Sequence, residues 1–460
     1  MSESATNVTA PALRLRRAVH RFYHSGAAWN FFLRRRLRPA GIGLLLIGIV
    51  LTCLAGGQAS DPIFRLLSFA FTLGVISLLW LPLRRAKLEV QRDLPQHATA
   101  GERVRLRYHL KNQGKRKLRN AWLIETPPDP RPSRELFMQS VEPGSEKRNA
   151  FDRTFAYYCW NWLCERRLLF EATPSDQPVT LERDGEQTLT AELMPRRRGL
   201  IRLDDLRVLL PDPLGLFQRC TVVSNRAATL AVLPQRFRLP GFELPGSARF
   251  QPGGDAASRN TGPSGEFVSL RDYQPGDPLR LIDWKSWART GKPIVKEFED
   301  TFFPRHGLIL DTFPEALDED LFEDAVSVAA SFVSSIDTQE SLIDLMFISG
   351  REQVVTAGRG TGRSDTLLEV LAGVEASPTP EFESLKRLVL RHTEDLAGCL
   401  AVIAGWSPER AQLLNAISSA GVEIGAVVVC REIPESRPPR VHFVRSSHLA
   451  ADLLRLPPRL

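Results

Sequence analysis

The chain has 460 residues, with 43% hydrophobic and 25% charged side chains, six cysteines and a formal charge of +7. That length suggests two to four domains, and the composition excludes a wholly disordered chain and a many-spanning transporter. Six irregularly placed cysteines make no disulfide framework.

In chain order, residues 1–39 are a basic arm. It carries Arg14, Arg16, Arg17, Arg21, Arg34, Arg35, Arg36 and Arg38 against one acid, Glu3. Residues 40–82 hold two apolar runs: AGIGLLLIGIVLTCLAG (40–56) has no charge, and IFRLLSFAFTLGVISLLWL (63–81) has only Arg65. Each approaches the ~20 apolar residues that a bilayer-spanning helix needs. With a short connection between them they are expected to form a transmembrane helical hairpin, since helices satisfy their own backbone polar groups in lipid. A cleaved signal peptide is disfavoured by the long preceding arm and the second apolar run. Arg84, Arg85 and Lys87 follow the second run, whereas the turn carries only Asp61. The positive-inside rule therefore predicts two spans with both termini cytoplasmic.

Residues 83–234 alternate in short period-two runs such as Val104-x-Leu106-x-Tyr108-x-Leu110, broken by turns such as NQGK and ERDGE. This rhythm predicts an antiparallel β-sandwich of immunoglobulin type. Cys159 and Cys164 in CWNWLC have the wrong spacing for a zinc ribbon and are expected to pack in a core. Residues 235–266, rich in Pro, Gly and Ser, are expected to be a linker.

From His306 onward strands and helices alternate: HGLILDTF, SLIDLMFISG, GCLAVIAG and VEIGAVVVC are apolar strands between helical segments. Near-continuous apolar strands predict a doubly wound parallel sheet covered on both faces. Ser407 before Pro408 is the expected N-cap of one helix and Gly421 its stop. Ligands of such sheets bind at the strands' carboxyl ends, which puts Asp311, Thr312 and the 358–366 loop on the candidate rim.

Chemistry is sparse. GRGTGRSDT (358–366) lacks the lysine of a phosphate loop and the spacing of a dinucleotide site. No HExxH or paired-cysteine pattern exists, and no nucleophile, base and orienting acid can be nominated together. The densest cluster of unusual residues lies between Ser264 and Glu299. There Arg271, Asp277, Arg280, Asp283, Arg289 and Glu297 mix with Tyr273, Trp284 and Trp287 around the turn Pro275-Gly276-Asp277-Pro278. Aromatics interleaved with paired charges suit a specific protein interface or an internal brace between domains.

The stretch LRDYQPGDPLRLIDWKSWARTGKPIVKEFE closely resembles the signature of the bacterial domain of unknown function 58 family. PRRRGLIRLDDLRVLLPDPLGLF (Pro195–Phe217) is similar to a second family element, with Asp212, Pro213, Gly215 and Phe217 in place. The resemblance implies a membrane-anchored multidomain protein: two membrane helices, a β-rich region and a domain similar to von Willebrand factor A. On that basis 267–303 is the signature segment and 304–460 the von Willebrand A-like α/β domain. The resemblance also implies a MoxR-type AAA+ ATPase as partner. One departure stands out: the metal-binding D-x-S-x-S pattern is replaced by Asp311-Thr312-Phe313-Pro314-Glu315, and phenylalanine cannot ligate. Asp311 is then a degenerate metal-site remnant, and no metal, cofactor or catalytic residue is expected.

The expected function is a non-catalytic scaffold or adaptor held in the bilayer through 40–56 and 63–81. The alternative is a membrane-associated hydrolase using the rim around Asp311 and the 358–366 loop. The +7 resolves into zones: the arm is basic, residues 83–250 carry 30 bases and 20 acids, and residues 251–460 carry 21 bases and 31 acids. No nucleic-acid surface is expected from that distribution.

Overall fold

In the computed structural model the described residues are 10–54, 62–142, 144–223, 226–246, 266–299, 305–314, 318–336, 342–358, 364–377, 379–435 and 437–459. The chain divides into two compact units, Met1–Leu233 and Pro234–Leu460.

The first unit begins with three helices: α1 (Ala10–Arg36), α2 (Pro39–Leu54) and α3 (Pro62–Trp80). Residues 10–36 of the basic arm form a 27-residue helix, with Arg34, Arg35 and Arg36 in its last turn, where cations suit the helix dipole. The segment Pro62–Leu83 is long and apolar enough to cross a membrane. α2 covers 16 residues, taking in the first apolar run up to Leu54; Ala55 and Gly56 lie outside the described residues. Both helices expose large apolar side chains along their length, including Ile42, Leu46, Ile49, Phe69, Phe71 and Leu79. In water such surfaces would drive association.

Eleven strands follow: β1 (Leu88–Asp93), β2 (His97–Thr99), β3 (Val104–Asn112), β4 (Leu118–Glu125), β5 (Phe170–Ala172), β6 (Val179–Leu181), β7 (Glu186–Pro195), β8 (Gly199–Leu203), β9 (Leu206–Pro211), β10 (Gln218–Val222) and β11 (Ala228–Leu233). They form sheets of order β1-β3-β7-β5, β10-β9-β4-β6 and β2-β11-β8, antiparallel except where β2 lies beside β11. Period-two alternation aims Leu106, Tyr108 and Leu110 of β3 and Leu189, Ala191 and Leu193 of β7 inward, onto Leu123 of β4 and Val208 of β9. One core thus joins all three sheets. Within it Arg92 and Glu125 form a buried pair at 2.6 Å, and the Tyr108 hydroxyl donates to the same carboxylate.

This region is not uniformly β. Between β4 and β5 it folds three short helices, α4 (Arg134–Gln139), α5 (Ala150–Phe155) and α6 (Tyr157–Arg167). Ser133 and Asn149 cap α4 and α5 through their side-chain oxygens. Phe137, Cys159, Trp160 and Leu163 form a satellite core closed by Val19 of α1, with Tyr23 and Ala27 packed alongside. YYCWNWLC is apolar on every side, so its helical period leaves no polar stripe to read. The expected core packing of Cys159 holds, though inside a helical cluster rather than a sheet.

The second unit opens with β12 (Glu266–Asp272), α7 (Trp284–Thr290) and β13 (Ile294–Glu299), in which β12 and β13 pair antiparallel. The main body comprises β14 (Arg305–Leu310), α8 (Glu319–Ser335), β15 (Leu342–Ile348), β16 (Glu352–Ala357), α9 (Ser364–Gly373), α10 (Phe382–His392), β17 (Gly398–Ala404), α11 (Pro408–Ser419), β18 (Glu423–Cys430), β19 (Val441–Arg445) and α12 (Leu449–Leu453). The six strands run in the order β16-β15-β14-β17-β18-β19. All neighbours are parallel except β16, which pairs antiparallel with β15 at the edge. The sheet is therefore mixed rather than wholly parallel, because only a short turn, Ser349–Arg351, joins β15 to β16, too short for a crossover. Leu385 and Leu388 of α10 and Leu413, Leu414 and Ile417 of α11 cover one face through Met346, Ala401 and Val428. The longer α8 lies along β14, β17 and β18 with Phe322, Ala325, Ala329 and Phe332 buried. Most of the linker region, residues 247–265, lies outside the described residues.

Candidate functional site

Strand order reverses at β14, so the carboxyl end of this strand is where a doubly wound sheet places its ligands. Asp311 directly follows β14 and is only 2% exposed. Its partner is Arg410, 1% exposed, from the first turn of α11. Arg410 Nε donates to Asp311 Oδ2 at 2.7 Å, and Arg410 also donates to the Phe313 carbonyl at 2.5 Å and to Ser407 Oγ at 3.3 Å. The backbone N–H groups of Phe313 and Ala404 donate to the two Asp311 oxygens at 2.9 and 3.3 Å. Burial pushes the Asp311 carboxyl upward, while the guanidinium and both N–H groups pull it down. Desolvating two charges costs several kcal/mol each unless hydrogen bonds complete the geometry, as they do here.

A cation therefore already sits against the strand-end aspartate, and it belongs to the chain. Phe313 turns its ring away, edge-on to Phe382, and the Thr312 hydroxyl donates to the Ile348 carbonyl at 2.5 Å. The Thr312 hydroxyl and the Phe313 ring thus supply no free oxygen ligand beside Asp311. Among the described residues no group of three His, Cys, Asp or Glu could hold a metal. Glu315 and loop residues 359–363 lie outside the described residues.

Ser407 does occupy the N-cap position of α11, but its side chain makes no cap bond. Its hydroxyl accepts from Arg410 instead. Sequence reasoning passed over Arg410, although a signal existed. A cation in the first turn of a helix opposes the helix dipole and calls for a compensating anion.

Around the same rim, Asp318 caps α8 and pairs with Arg431, which follows β18, at 2.7 Å. Asp324 of α8 accepts from Ser446 after β19, and burial raises its carboxyl to about 6. Arg445 and Asp452 form a two-pronged pair at 2.8 and 2.9 Å.

The signature segment folds as its own small hairpin. Arg271 grips Asp277 through two bonds of 2.7 Å, and Asp277 also accepts from the Gln274 N–H. The Arg271 guanidinium holds the Asp277 carboxyl down at about 2. Gly276 supplies the φ of +111° that the turn requires and most other residues avoid. Asp283 accepts from Ser286 Oγ at 2.7 Å and pairs with Lys296 at 3.6 Å. Ile282 and Val295 are buried beneath, and the Tyr273 N–H donates to the Pro293 carbonyl. Trp284 and Trp287 stack with centroids 5.3 Å apart, yet Trp284 remains 65% exposed. Leu270 and Leu279 are exposed as well, as are Arg280 and Arg289. Backbone pairing sets Glu297 opposite Ser269; its side chain lies outside the described residues. Arg271, Asp277 and Asp283 thus brace the hairpin, while Trp284, Leu270, Leu279, Arg280 and Arg289 face outward.

The upstream element has a local role. Asp212, buried in the turn after β9, accepts from Ser77 of α3 and from the N–H groups of Leu214 and Phe217. Arg38 N–H donates to the Leu216 carbonyl at 3.1 Å. A Cβ on Gly41 would fall 2.2 Å from that same carbonyl oxygen, so α2 can approach only through glycine. The DPLGLF turn is thereby a socket for α2 and α3.

These features define a class: a mixed α/β sheet unit preceded by a braced hairpin, with a strand-end rim closed by an internal ion pair. Residues 269–441 match the family model described as "Protein of unknown function DUF58". A curated relative, the "Uncharacterized protein YeaD" of Bacillus subtilis (strain 168), is 35% identical over 153 residues, which is 32% of this chain and 36% of that protein. The chain thus spans about a third of the length of the curated relative it matches. Among solved structures, the PapD-like domain 7 of human CEP192 matches with TM-score 0.13 and 13% identity, over 32% of this chain and 82% of that one. The GH20 exo-β-N-acetylglucosaminidase from Vibrio harveyi matches with TM-score 0.15 and 10% identity, over 75% and 57%. Scores this low carry no argument about fold or activity.

Proposed function

We propose that the chain is a non-catalytic adaptor, held in the bacterial inner membrane by the α2–α3 pair and presenting its second unit to a protein partner. The observation that carries this is the Asp311–Arg410 pair. The position where a sheet of this kind would place a ligand or a reacting carboxylate is filled from within. A hydrolase built on Asp311 would need a carboxylate free to take a proton or a nucleophile's role, and here guanidinium and backbone donors occupy both oxygens. The strand order, the antiparallel edge strand and the helices on the sheet support a von Willebrand A-like domain. The shared core of the antiparallel sheets supports an immunoglobulin-like sandwich in the first unit.

The docking face is the exposed edge of the signature hairpin, with Trp284 and Leu279 as apolar anchors beside Arg280 and Arg289. Exposed tryptophan and arginine beside an apolar anchor are the residue types that dominate interface energies. The partner that the family resemblance implies is a MoxR-type AAA+ ATPase. Capture of that ATPase by the full-length protein, and its loss in Trp284→Ala/Leu279→Ala, tests the assignment. Equal capture by both proteins would remove the hairpin from the interface. Topology is tested separately: protease added to right-side-out vesicles should leave both termini intact.

A further inference from the structure

Helix α1 has two apolar faces, and only one is covered. Val19 and His20 are buried, and with Tyr23 and Ala27 they face Phe137, Trp160 and Leu163 of the helical cluster. Arg16 on the same side donates to the carbonyls of Phe137 and Ser140. On a flanking stripe Leu15, Phe22 and Trp29 recur at seven-residue spacing, joined by Phe32, along a 3.6-residue helix. These side chains are outside: Phe22 is 74% exposed and Trp29 63%, with Trp29 stacked on Phe32. Arg14, Arg17, Arg21 and Arg36 are exposed too, and Arg36 lies over the Phe32 ring at 4.9 Å. No acid occurs in the sequence between Glu3 and Asp61.

We infer that this second face of α1 lies in the headgroup boundary of an anionic bilayer, with Phe22, Trp29 and Phe32 dipping into the acyl edge and the arginines meeting lipid phosphates. The inference rests on the proposed membrane reading of α2 and α3. Three features favour lipid over a protein occupant. The chain leaves α1 at Arg36 and enters the apolar α2 at Pro39, and the DPLGLF socket ties that junction through Arg38 and Gly41. A helix joined so closely to the spans is restrained near the surface. All the charge on the exposed face is positive, which suits anionic headgroups and opposes pairing with a second copy. Tryptophan with arginine at one end of an apolar segment is the residue choice of the membrane–water interface. The helix would then lie between the bilayer and the α4–α6 cluster, gripped on one side by protein and on the other by lipid.

The test is quenching by brominated acyl chains, with full-length protein reconstituted in phosphatidylcholine vesicles with or without roughly one phosphatidylglycerol in three. The wild-type signal minus that of Trp29→Phe isolates Trp29; the wild-type signal minus that of Trp80→Phe isolates the end of α3. The expected result is Trp80 quenched in both lipids and Trp29 quenched at least about twofold more strongly when phosphatidylglycerol is present. Trp80 quenched with Trp29 untouched would lift α1 off the surface while leaving the spans in place. Equal quenching of Trp29 in both lipids would overturn the anionic assignment. Neither residue quenched would overturn the membrane reading beneath it.

Discussion

Replacing Arg410 by methionine keeps most of the side-chain volume and removes the charge. The variant leaves Asp311 almost fully buried, with only the Phe313 and Ala404 N–H groups, at 2.9 and 3.3 Å, to hold it. It also orphans the Phe313 carbonyl, which accepts from Arg410 at 2.5 Å. Breaking a buried pair from one side costs about 3–5 kcal/mol, because an uncompensated charge remains. For a unit of this size that lowers the thermal midpoint by on the order of 10 °C. Calorimetry of the full-length protein, with amide exchange in β14 and β17 assigning the transition to the second unit, reads this directly. The double variant Asp311→Asn/Arg410→Met removes both charges and should recover at least about 1 kcal/mol of the single variant's loss. A single-variant cost below about 1 kcal/mol, or a double variant no better than Arg410→Met, would refute the internal-cation account. So would Mg²⁺ raising the wild-type midpoint by several degrees.

Three further outcomes are expected. Burial raises Asp324 from 3.8 to about 6, so this group lowers stability as pH rises between those values, and the loss is complete above 6. Asp324→Asn should therefore stabilise the protein above pH 6, by up to about 2–3 kcal/mol, and should make no difference below pH 4; a constant offset across pH would contradict this. Asp277→Ala should speed amide exchange at Gln274 and across β12–β13 without changing exchange in β17, since its bonds are to Arg271 and Gln274 alone among the contacts described. Gly41→Ala should loosen the socket, because its Cβ meets the Leu216 carbonyl, and exchange at Arg38 should rise severalfold; an unchanged rate would mean α2 docks elsewhere.

The main elements of the second unit could be read in sequence because buried strands are apolar throughout and helices between them keep one apolar face. HGLILDTF and VEIGAVVVC became β14 and β18, and the acidic-capped helix became α8. The antiparallel turn of β16 could not be read, since an edge strand has the same composition either way. The helices α4–α6 were hidden for another reason. They are short and ringed with aromatics, and the polar stripe that would mark a helix is missing where α1 covers the other side. At the rim, Asp311 stood out at the end of an apolar strand, but its partner is 99 residues away, on helix α11. Local sequence held only the hint that Arg410 opposes its own helix dipole. The signature cluster shows the reverse pattern: its charged pairs are close in sequence and became the Arg271–Asp277 brace, whereas the outward face of Trp284 and Leu279 emerged only in three dimensions.

Affinity capture from solubilised membranes tests the adaptor assignment most directly, with full-length wild type and Trp284→Ala/Leu279→Ala compared at equal expression. The account predicts a MoxR-type AAA+ ATPase recovered with the wild type and reduced at least about tenfold with the double variant, as expected for loss of central apolar anchors. Recovery that is equal for the two proteins, or no ATPase with either, would contradict it.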